Sequence, residues 1–263
     1  MTIGGVNAMD LYVLPVVFTL FVWWFSTGVI VWLNRRRAAL RKWTLLGATA
    51  VAVAAIAGLW VCSRTTTVAS AYCAFTCVIL VWAWQEVGFL SGYVTGPRRT
   101  AATPAIAGWA RVREAFATVK HHEFALLALG AAVLAATWEQ PNATGWWTFV
   151  VLWVMRQSAK LNLFLGVRNL YEGFLPPHLG YLHSYFRREP MNPLFPLSVL
   201  ASTAVVVPLW LAAGRAADPA TAAGLSLVGT LLALAILEHW FLVLPLPSEN
   251  LWKWATRSSR ASG

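Results

Sequence analysis

Long apolar runs alternate with short polar segments along almost the whole chain. Seven of these runs approach the ~20 residues that a helix needs to cross the hydrocarbon core of a bilayer. We predict transmembrane helices at residues 10–33, 43–62, 67–90, 121–138, 145–168, 194–213 and 221–246. The predicted fold is therefore all-α: a polytopic bundle of seven transmembrane helices that occupies residues 1–263 as a single integral-membrane domain.

The composition agrees with a membrane environment. Of all residues, 59% are hydrophobic and only 11% are charged, whereas a soluble domain carries about 25% charged residues. A net charge of +10 would suggest a nucleic-acid partner in a soluble protein. Here the basic residues lie mainly between apolar runs, where they report membrane topology instead. The lipid bilayer, and not nucleic acid, is the partner that this composition predicts.

The distribution of basic residues predicts the orientation. Sixteen of the 20 Lys and Arg residues lie between predicted spans one and two, between three and four, after five and after seven. In a seven-span bundle these segments share one side, and the opposite side carries only Arg64 and Arg215. The positive-inside rule then gives a periplasmic N-terminus and a cytoplasmic C-terminus. No basic residue precedes the first apolar run and no small-residue cleavage site follows it, so no cleavable signal peptide is expected.

Two longer segments connect spans on the predicted cytoplasmic side. Residues 91–120 include the sequence WARVREAFATVK, for which we expect a short amphipathic helix on the membrane surface. Residues 169–193 contain prolines that exclude a long regular helix and aromatic residues that argue against plain disorder. This second loop is predicted to fold back on the bundle or to meet a partner. Its candidate docking residues are Arg168, Asn169, Pro176, Pro177, His178, Tyr185, Arg187, Arg188 and Asn192.

Ionisable and amide side chains interrupt the apolar spans. They are Glu86, His121, His122, Glu123, Arg156, Lys160, Asn162, Glu238 and His239. A charged group at membrane depth is costly, so it normally faces the protein interior and has a partner or a ligand there. We therefore predict a buried polar cluster, and it is the candidate ligand site of the protein.

The depth of each charge along its helix suggests which groups could pair. Lys160 and Glu238 both lie about 12 Å inside the cytoplasmic end of their spans, at 1.5 Å per residue. They form either a structural ion pair or a functional pair. Arg156 lies about 18 Å above Arg168, and no acidic residue is predicted at that depth. An anionic or carbonyl-bearing ligand is one interpretation; pairing with backbone carbonyls and hydroxyls is the other. For the four charges together, Arg156 and Lys160 balance Glu86 and Glu238, and mutual pairing is the simplest explanation.

The same cluster suggests a metal site as an alternative. Its ligands would be Glu86, His122, Glu123, Glu238 and His239. The spacing argues against it, because di-iron bundles use Glu-x-x-His, whereas Glu238 and His239 are adjacent and point about 100° apart. A single axial histidine to the magnesium of a chlorophyll-type ring needs no spacing motif. His239 or His122 could serve, and an ordinary hydrogen-bonded histidine is the alternative reading of each.

Other familiar chemistry is missing from the sequence. There is no P-loop and no Gly-x-Ser-x-Gly elbow. The seventh predicted span has no lysine for a retinal Schiff base. Cys62, Cys73 and Cys77 have neither zinc spacing nor the pattern of a disulfide framework, so buried thiols are expected. The sequence favours a non-enzymatic protein over an enzyme.

Four stretches resemble the PuhE family, which comprises photosynthetic-complex assembly proteins of phototrophic bacteria. They are WQEVGFLSGYVTGPRR, RQSAKLNLFLGVRNLYEGFLPPHL, SYFRREPMNPLFPLSV and LEHWFLVLPLP. The resemblance covers nearly the whole chain. It implies a multi-pass protein of the bacterial inner membrane, cytoplasmic or intracytoplasmic, encoded beside the reaction-centre H subunit. It implies no catalytic residue.

Three functional hypotheses follow from the resemblance and the polar cluster. In the first, the protein is an assembly factor for the reaction centre and its light-harvesting 1 antenna, and it handles or modulates the supply of bacteriochlorophyll. Its bundle would hold bacteriochlorophyll, a precursor or a pigment-binding subunit, and its partners would be reaction-centre or antenna subunits or other assembly factors. The second is a membrane metalloenzyme of bacteriochlorophyll metabolism that uses the His/Glu cluster. The third, a transporter of pigment precursor, is the weakest because the chain shows no internal repeat.

Overall fold

The computed structural model describes residues 2–3, 5–35, 38–170 and 172–256, which are mostly helical. The long helices in this part of the chain are α1 (Leu14–Asn34), α2 (Arg41–Cys62), α3 (Val68–Leu90), α4 (Gly108–Thr137), α5 (Thr144–Leu165), α6 (Leu194–Arg215) and α7 (Pro219–Val243). Arg36, Arg37, Arg257 and Arg260, which contributed to the predicted orientation, lie outside the described residues.

Short elements close both ends of the bundle. Strands β1 (Thr2–Ile3) and β2 (Val6–Asn7) form a small antiparallel pair, and a π-helical turn at Met9–Val13 leads into α1. After α7, the 3-10 helix Ser248–Trp252 and the short helix α8 (Lys253–Thr256) return to α1. Two hydrogen bonds of 2.9 Å hold this C-terminal segment, from Trp24 Nε1 to the Leu251 carbonyl and from Trp252 Nε1 to the Trp24 carbonyl.

The protein is a multi-pass membrane protein by helix length and apolarity. Within the described residues, six helices are long and apolar enough to cross a membrane: Met9–Asn34, Ala38–Cys62, Val68–Leu90, Gly108–Thr137, Leu194–Arg215 and Pro219–Val243. Their outward faces carry large exposed apolar side chains, such as Leu200 on α6 (69% exposed) and Val53 on α2 (67% exposed). Such surfaces suit lipid and would be a liability in water.

The remaining long helix, α5, differs because of its polar side chains. It has 22 residues, which is enough to cross a bilayer. Arg156, Gln157 and Lys160 lower its hydropathy, and α5 is not among the helices that meet the apolarity criterion. It packs against α3, α4 and α7, so these polar groups can be shielded by neighbouring helices instead of facing lipid.

Helix α4 begins earlier than the sequence predicted. The separate surface helix expected at residues 109–120 is instead the start of α4, which runs from Gly108 to Thr137. The preceding loop interrupts the regular hydrogen bonding of α4, because Arg98 N donates to Ala117 O and His122 N donates to Thr95 O. At Gly96, a Cβ would collide with the backbone of α4 at Ala117, so the close approach requires glycine.

Among the described residues, the two largest apolar clusters of the core both include α3 and α5. One joins α2, α3, α4 and α5, and contains Leu59, Val78, Val133 and Phe149. The other joins α3, α5, α6 and α7, and contains Phe75, Met155, Val206 and Leu231. Helix α7 is the most enclosed of the six apolar helices, with 67% of its most apolar window buried. Polar side chains on α3, α5 and α7 therefore meet inside the bundle.

The prediction of three free thiols was wrong for two of the cysteines. Cys62, the last residue of α2, forms a disulfide with Cys73 in the second turn of α3, across a Cα–Cα distance of 6.1 Å. The short turn between the two helices brings them within bonding distance, although their spacing of 11 residues matches no framework that can be recognised in one sequence. Cys77 is free and buried, as predicted.

Candidate functional site

A large cavity opens between α1, α3, α4, α5 and α7. Its volume is about 850 Å³ and its walls are mostly apolar, which matches the size and lining of typical ligand sites. A small set of polar side chains reaches it: Trp23, Ser26, Glu86, His122, Glu123, Arg156, Gln157, Lys160, Glu238 and His239. The structure thus brings together most of the intramembrane polar residues that the sequence singled out. We call this space the central cavity.

An ion pair between α5 and α3 crosses the central cavity. Arg156 Nη2 lies 2.6 Å from Glu86 Oε2. No acidic residue was predicted at the depth of Arg156, but Glu86 reaches it from the facing helix, as mutual pairing of the intramembrane charges would require. The pair uses one guanidinium nitrogen, while Arg156 Nε is buried without a hydrogen-bond partner among the described residues. The Arg156 side chain is still 38% exposed, so it can offer further donors to a ligand.

A second ion pair joins α5 to α4. Lys160 Nζ lies 2.5 Å from Glu123 Oε1, and Gln157 Nε2 donates to Glu123 Oε2 at 2.7 Å. The predicted Lys160–Glu238 pair does not form. Lys160 and Glu238 were predicted at similar positions along their helix axes. The Lys160 side chain, however, points toward α4 and not toward α7. Each carboxylate oxygen of Glu123 therefore contacts one side chain of α5, and these two contacts connect α4 to α5.

Glu238 on α7 is the carboxylate in the central cavity that lacks a cationic partner within the described part of the chain. Trp23 Nε1 on α1 donates to Glu238 Oε1 at 2.6 Å. Although atoms of several helices surround it, Glu238 keeps accessible surface where it lines the cavity. A group with one satisfied and one accessible oxygen can accept a hydrogen bond from a ligand.

His239 belongs to a hydrogen-bonded chain that links α7, α5 and α6. Its Nδ1 lies 2.8 Å from the Ala235 carbonyl, which can only accept, so Nδ1 carries a proton. Its Nε2 lies 2.8 Å from Ser158 Oγ, which lies 2.9 Å from Ser198 Oγ. In the neutral ring Nε2 is therefore a hydrogen-bond acceptor, and its partner is the Ser158 hydroxyl.

The two histidines at the start of the fourth predicted span have different environments. His122 is buried at 2% exposure, and Gln85 Nε2 donates both to its Nδ1 and to its carbonyl, each at 2.8 Å. His121 is exposed and lies outside the central cavity. Adjacent residues point about 100° apart on a helix, so only His122 faces inward.

The candidate metal ligands line the same cavity but are not arranged around a common ion position. No group of three or more His, Cys, Asp or Glu side chains in the described part of the chain is arranged to hold a metal ion. Glu86 and Glu123 are instead bonded to Arg156 and Lys160. The prediction of a metal site formed by Glu86, His122, Glu123, Glu238 and His239 is therefore not supported by the geometry.

Asn162 has a structural position outside the central cavity. It is fully buried, and its Nδ2 donates to the Ser158 carbonyl at 2.9 Å and to Ser198 Oγ at 3.3 Å. Asn192 Nδ2 donates to Asn162 Oδ1 at 3.1 Å and to the Gly166 carbonyl at 2.8 Å. The two amide side chains donate hydrogen bonds to backbone carbonyls at the end of α5, and they connect this end to the start of α6.

The loop between α5 and α6 folds back on the bundle, which was one of its two predicted alternatives. A 3-10 helix covers Pro177–Tyr185. Tyr185 is buried, accepts from Arg98 Nε at 2.7 Å, and offers its carbonyl to Arg111 Nη2 at 2.7 Å. Asn169 Nδ2 donates to the carbonyls of Phe241 and Leu244. The hydrogen bond from Arg98 to the Tyr185 hydroxyl is the main reason why the pKa of Arg98 is raised.

The candidate docking residues in this loop divide into inward and outward groups. Pro176, Tyr185 and Asn192 are buried in the fold, and Asn169 is bonded to the end of α7. Pro177, Arg168, Arg187 and Arg188 are exposed. His178 lines a second, smaller cavity. Only the outward residues can meet a partner without rearrangement of the loop.

Several residues of the central cavity were not among the predicted site residues. Trp23 gave no signal, because it lies in the middle of an apolar run and carries no charge. Gln85 and Ser158 do not line the central cavity, but they contact His122 and His239, which do. Their position in apolar helices was the available signal. Gln157 could be recognised in the sequence as an amide within an apolar span. In the structure its side chain donates a hydrogen bond to Glu123.

Comparison with known proteins identifies the family. The profile of the DUF3623 family, described as proteins of unknown function, matches residues 9–262. The chain belongs to the DUF3623 family. A Rhodobacter capsulatus relative, described as an uncharacterised 30.4-kDa protein in the puhA 5′ region, is 40% identical over 244 residues. The alignment covers 90% of this chain and 88% of that relative. No solved structure matches this DUF3623 protein.

Proposed function

We propose that this protein is an integral-membrane assembly factor for the bacterial reaction centre–light-harvesting 1 complex. Two observations support the proposal. The Rhodobacter capsulatus relative is encoded in the puhA region, a photosynthesis gene cluster, and the chain resembles the PuhE family in the four stretches given above. Genes for assembly commonly lie beside the genes of the complex they serve, and the membrane bundle places this protein in the same bilayer.

The central cavity is the observation that carries the proposed role. It combines mostly apolar walls with a few polar groups from facing helices, which is the usual design of a site for a large, mostly apolar ligand. Arg156 keeps unused donors and Glu238 keeps an accessible oxygen. Bacteriochlorophyll or a precursor would suit this lining, because its ring would contact the apolar walls and its carbonyl substituents could accept hydrogen bonds from Arg156.

The two buried histidines differ in their suitability as an axial ligand. In His239 the bond to Ala235 keeps the proton on Nδ1 and leaves Nε2 as the basic nitrogen, which is the tautomer that a magnesium ligand needs. In neutral His122 the bond from Gln85 to Nδ1 puts the proton on Nε2. A pigment ring would supply the coordinating metal and the light absorption; on the protein side, His239 is the residue that could bind it after Ser158 moves away.

We propose a seven-span topology with a periplasmic N-terminus and a cytoplasmic C-terminus. Helix α5 is long enough to span and packs against α3, α4 and α7, so its polar side chains need not enter lipid. The Cys62–Cys73 disulfide joins the ends of α2 and α3 that this topology assigns to the periplasm. Disulfides persist in that oxidising compartment and are rare in the cytoplasm, which supports the orientation.

The proposed partners are reaction-centre or light-harvesting subunits or other assembly factors, and the role is not catalytic. The exposed arginines of the α5–α6 loop, Arg168 and Arg187, lie on the predicted cytoplasmic side. Basic residues close to the end of a transmembrane helix attract acidic protein segments and anionic lipids. The loop backbone is held to the bundle, so these side chains are presented on a fixed surface.

A gene deletion with complementation tests the function. Cells without the protein should have reduced reaction-centre and antenna absorption, restored by the wild-type gene and by Arg113→Gln, which removes an exposed charge outside the central cavity. Arg156→Lys keeps the charge but removes the extra donors, and should restore less absorption. Normal complex levels in the deletion strain would contradict the proposal. The absorption spectrum of protein purified in mild detergent would separately show whether pigment is bound.

A further inference from the structure

A second cavity lies at the end of the bundle that carries the start of α2 and the end of α3. Its volume is about 340 Å³, and it shares no lining residue with the central cavity. The 3-10 helix Pro177–Tyr185 covers it. The residues that give it chemical character are Arg41, Thr95, Arg99, His178 and Tyr181. We call it the end cavity; its interpretation is independent of the function proposed above.

The end cavity gathers buried polar atoms that have no hydrogen-bond partner in the described part of the chain. They are Arg41 Nε, Thr95 Oγ1, both ring nitrogens of His178 and the Tyr181 hydroxyl. Thr95 is only 1% exposed. The Thr95 and Tyr181 hydroxyls are neighbours, and the His178 ring is close to the carbonyls of Leu90 and Ser91, yet none of these contacts has hydrogen-bond geometry. Buried polar groups are normally hydrogen-bonded, so this concentration of donors and acceptors is a candidate site for a polar ligand.

The charges around the end cavity are positive. Arg41 and Arg99 both line it, and no carboxylate among the described side chains lies within ion-pair distance of either. Arg99 Nη2 donates to the Gly92 carbonyl at 3.0 Å, which leaves its other nitrogens available. Arg41 is also the first residue of α2, where the helix dipole favours an anion. Unsatisfied donors and net positive charge therefore coincide.

The backbone holds His178 in place against the cavity wall. Gly92 has a φ of +85°, and a Cβ at this position would lie 3.1 Å from the His178 ring. Burial, followed by the charge of Arg41, lowers the pKa of His178. A bound anion would offset the repulsion from Arg41 and Arg99 and favour protonation of the imidazole.

We propose that the end cavity binds a phosphate group. A phosphate has several acceptor oxygens, which can satisfy two guanidinium groups, two hydroxyls and an imidazole together, and Arg recognises it with charge-assisted hydrogen bonds. The cavity lies at the ends of two membrane-spanning helices, at the level where lipid headgroups are found. The phosphate can come from an anionic phospholipid or from a soluble phosphate, and both offer the same chemistry to these residues.

Two binding measurements on the purified full-length protein distinguish the sources. In detergent, inorganic phosphate is titrated against the protein by calorimetry. In nanodiscs, the melting temperature is compared between phosphatidylcholine alone and phosphatidylcholine with phosphatidylglycerol. Stabilisation by phosphatidylglycerol alone identifies a lipid headgroup, and binding of inorganic phosphate identifies a soluble ligand. Wild-type protein that responds to neither probe overturns the proposal.

Matched variants test whether the response comes from the end cavity. The double variant Arg41→Gln/Arg99→Gln should weaken the response by about tenfold or more, because it removes both charged donor groups that a phosphate would contact. Arg113→Gln, an exposed arginine outside the cavity, should retain it. Equal loss in both would indicate a general charge effect and contradict the site. Thr95→Val/Tyr181→Phe removes two donors without changing the charge; it should also weaken binding, and provides the test if the arginine variant does not fold.

Discussion

Arg156 on α5 and Glu86 on α3 form an ion pair with 2.6 Å between Nη2 and Oε2, inside a helix bundle and at the wall of a large cavity. The pair connects the two helices that contribute to both apolar core clusters. Removing one member of a buried pair leaves the other charge without compensation. The ion pair therefore contributes to the stability of the fold. It also determines which N–H donors of Arg156 remain available to a ligand.

The Arg156–Glu86 pair should show measurable coupling. Glu86→Gln should destabilise the protein by about 1–3 kcal/mol, because the guanidinium keeps its charge and loses its carboxylate. Arg156→Gln should do the same, and the double variant should cost less than the sum. Thermal unfolding in detergent of the four proteins gives the coupling energy. Strictly additive effects would mean that the pair does not exist in the native bundle.

Glu123 and Glu238 should respond differently to the same substitution. Glu123→Gln breaks the contact with Lys160 and should cost about 1–3 kcal/mol. Glu238→Gln preserves an acceptor for Trp23 Nε1 and disturbs no ion pair, so the free energy of unfolding should change by less than about 0.5 kcal/mol. Parallel melting curves of both variants provide the measurement. A larger loss in Glu238→Gln would reverse the assignment of Lys160 to Glu123.

Loss of the disulfide should lower the stability of the end of the bundle where α2 is followed by α3. Replacing Cys62 and Cys73 by Ser should cost about 2–3 kcal/mol, and dithiothreitol should lower the melting temperature of the wild type but not of this variant. Cys77→Ser is the control, since Cys77 is free. Mass spectrometry of alkylated protein shows which cysteines are bonded. Full alkylation of all three without reduction would rule out the disulfide.

Asp218 caps α7 outside the membrane and should make stability depend on acid pH. The Asp218 Oδ2 atom accepts hydrogen bonds from Thr221 N and Thr221 Oγ1, both at 2.8 Å. The hydrogen bond from the backbone N–H is the main reason why the pKa of Asp218 is lowered. A lowered pKa in the folded state means that the stabilisation is present above about pH 4. It is lost as the pH falls through the folded pKa.

Two substitutions separate the cap from its charge. Asp218→Ala should cost about 0.5–2 kcal/mol at neutral pH, whereas Asp218→Asn should retain most of the cap and remove its acid dependence. Unfolding temperatures between pH 3 and pH 7 provide the comparison. If Asp218→Asn followed the wild-type pH profile, the carboxylate would not be the titrating group.

Residues of the second cavity illustrate what a single sequence conceals. His178 and Tyr181 belong to a loop that the sequence predicted to fold back or to meet a partner, while Arg41 was counted only as a topology signal. They converge because the 3-10 helix Pro177–Tyr185 covers the ends of α2 and α3. Contacts between segments more than 130 residues apart depend on how the loop packs, and no local pattern encodes that.

The sequence by itself determined the helices and their membrane environment, because hydrophobic run length reflects bilayer thickness and polar residues within a run stand out. It also predicted that Lys160 and Glu238 lie at similar positions along their helices, since the helical rise is constant. The tertiary structure alone decided that Lys160 meets Glu123, that Arg156 meets Glu86 and that Cys62 meets Cys73. Those pairings depend on the order of helices around the bundle and on the direction of each side chain about its helix axis.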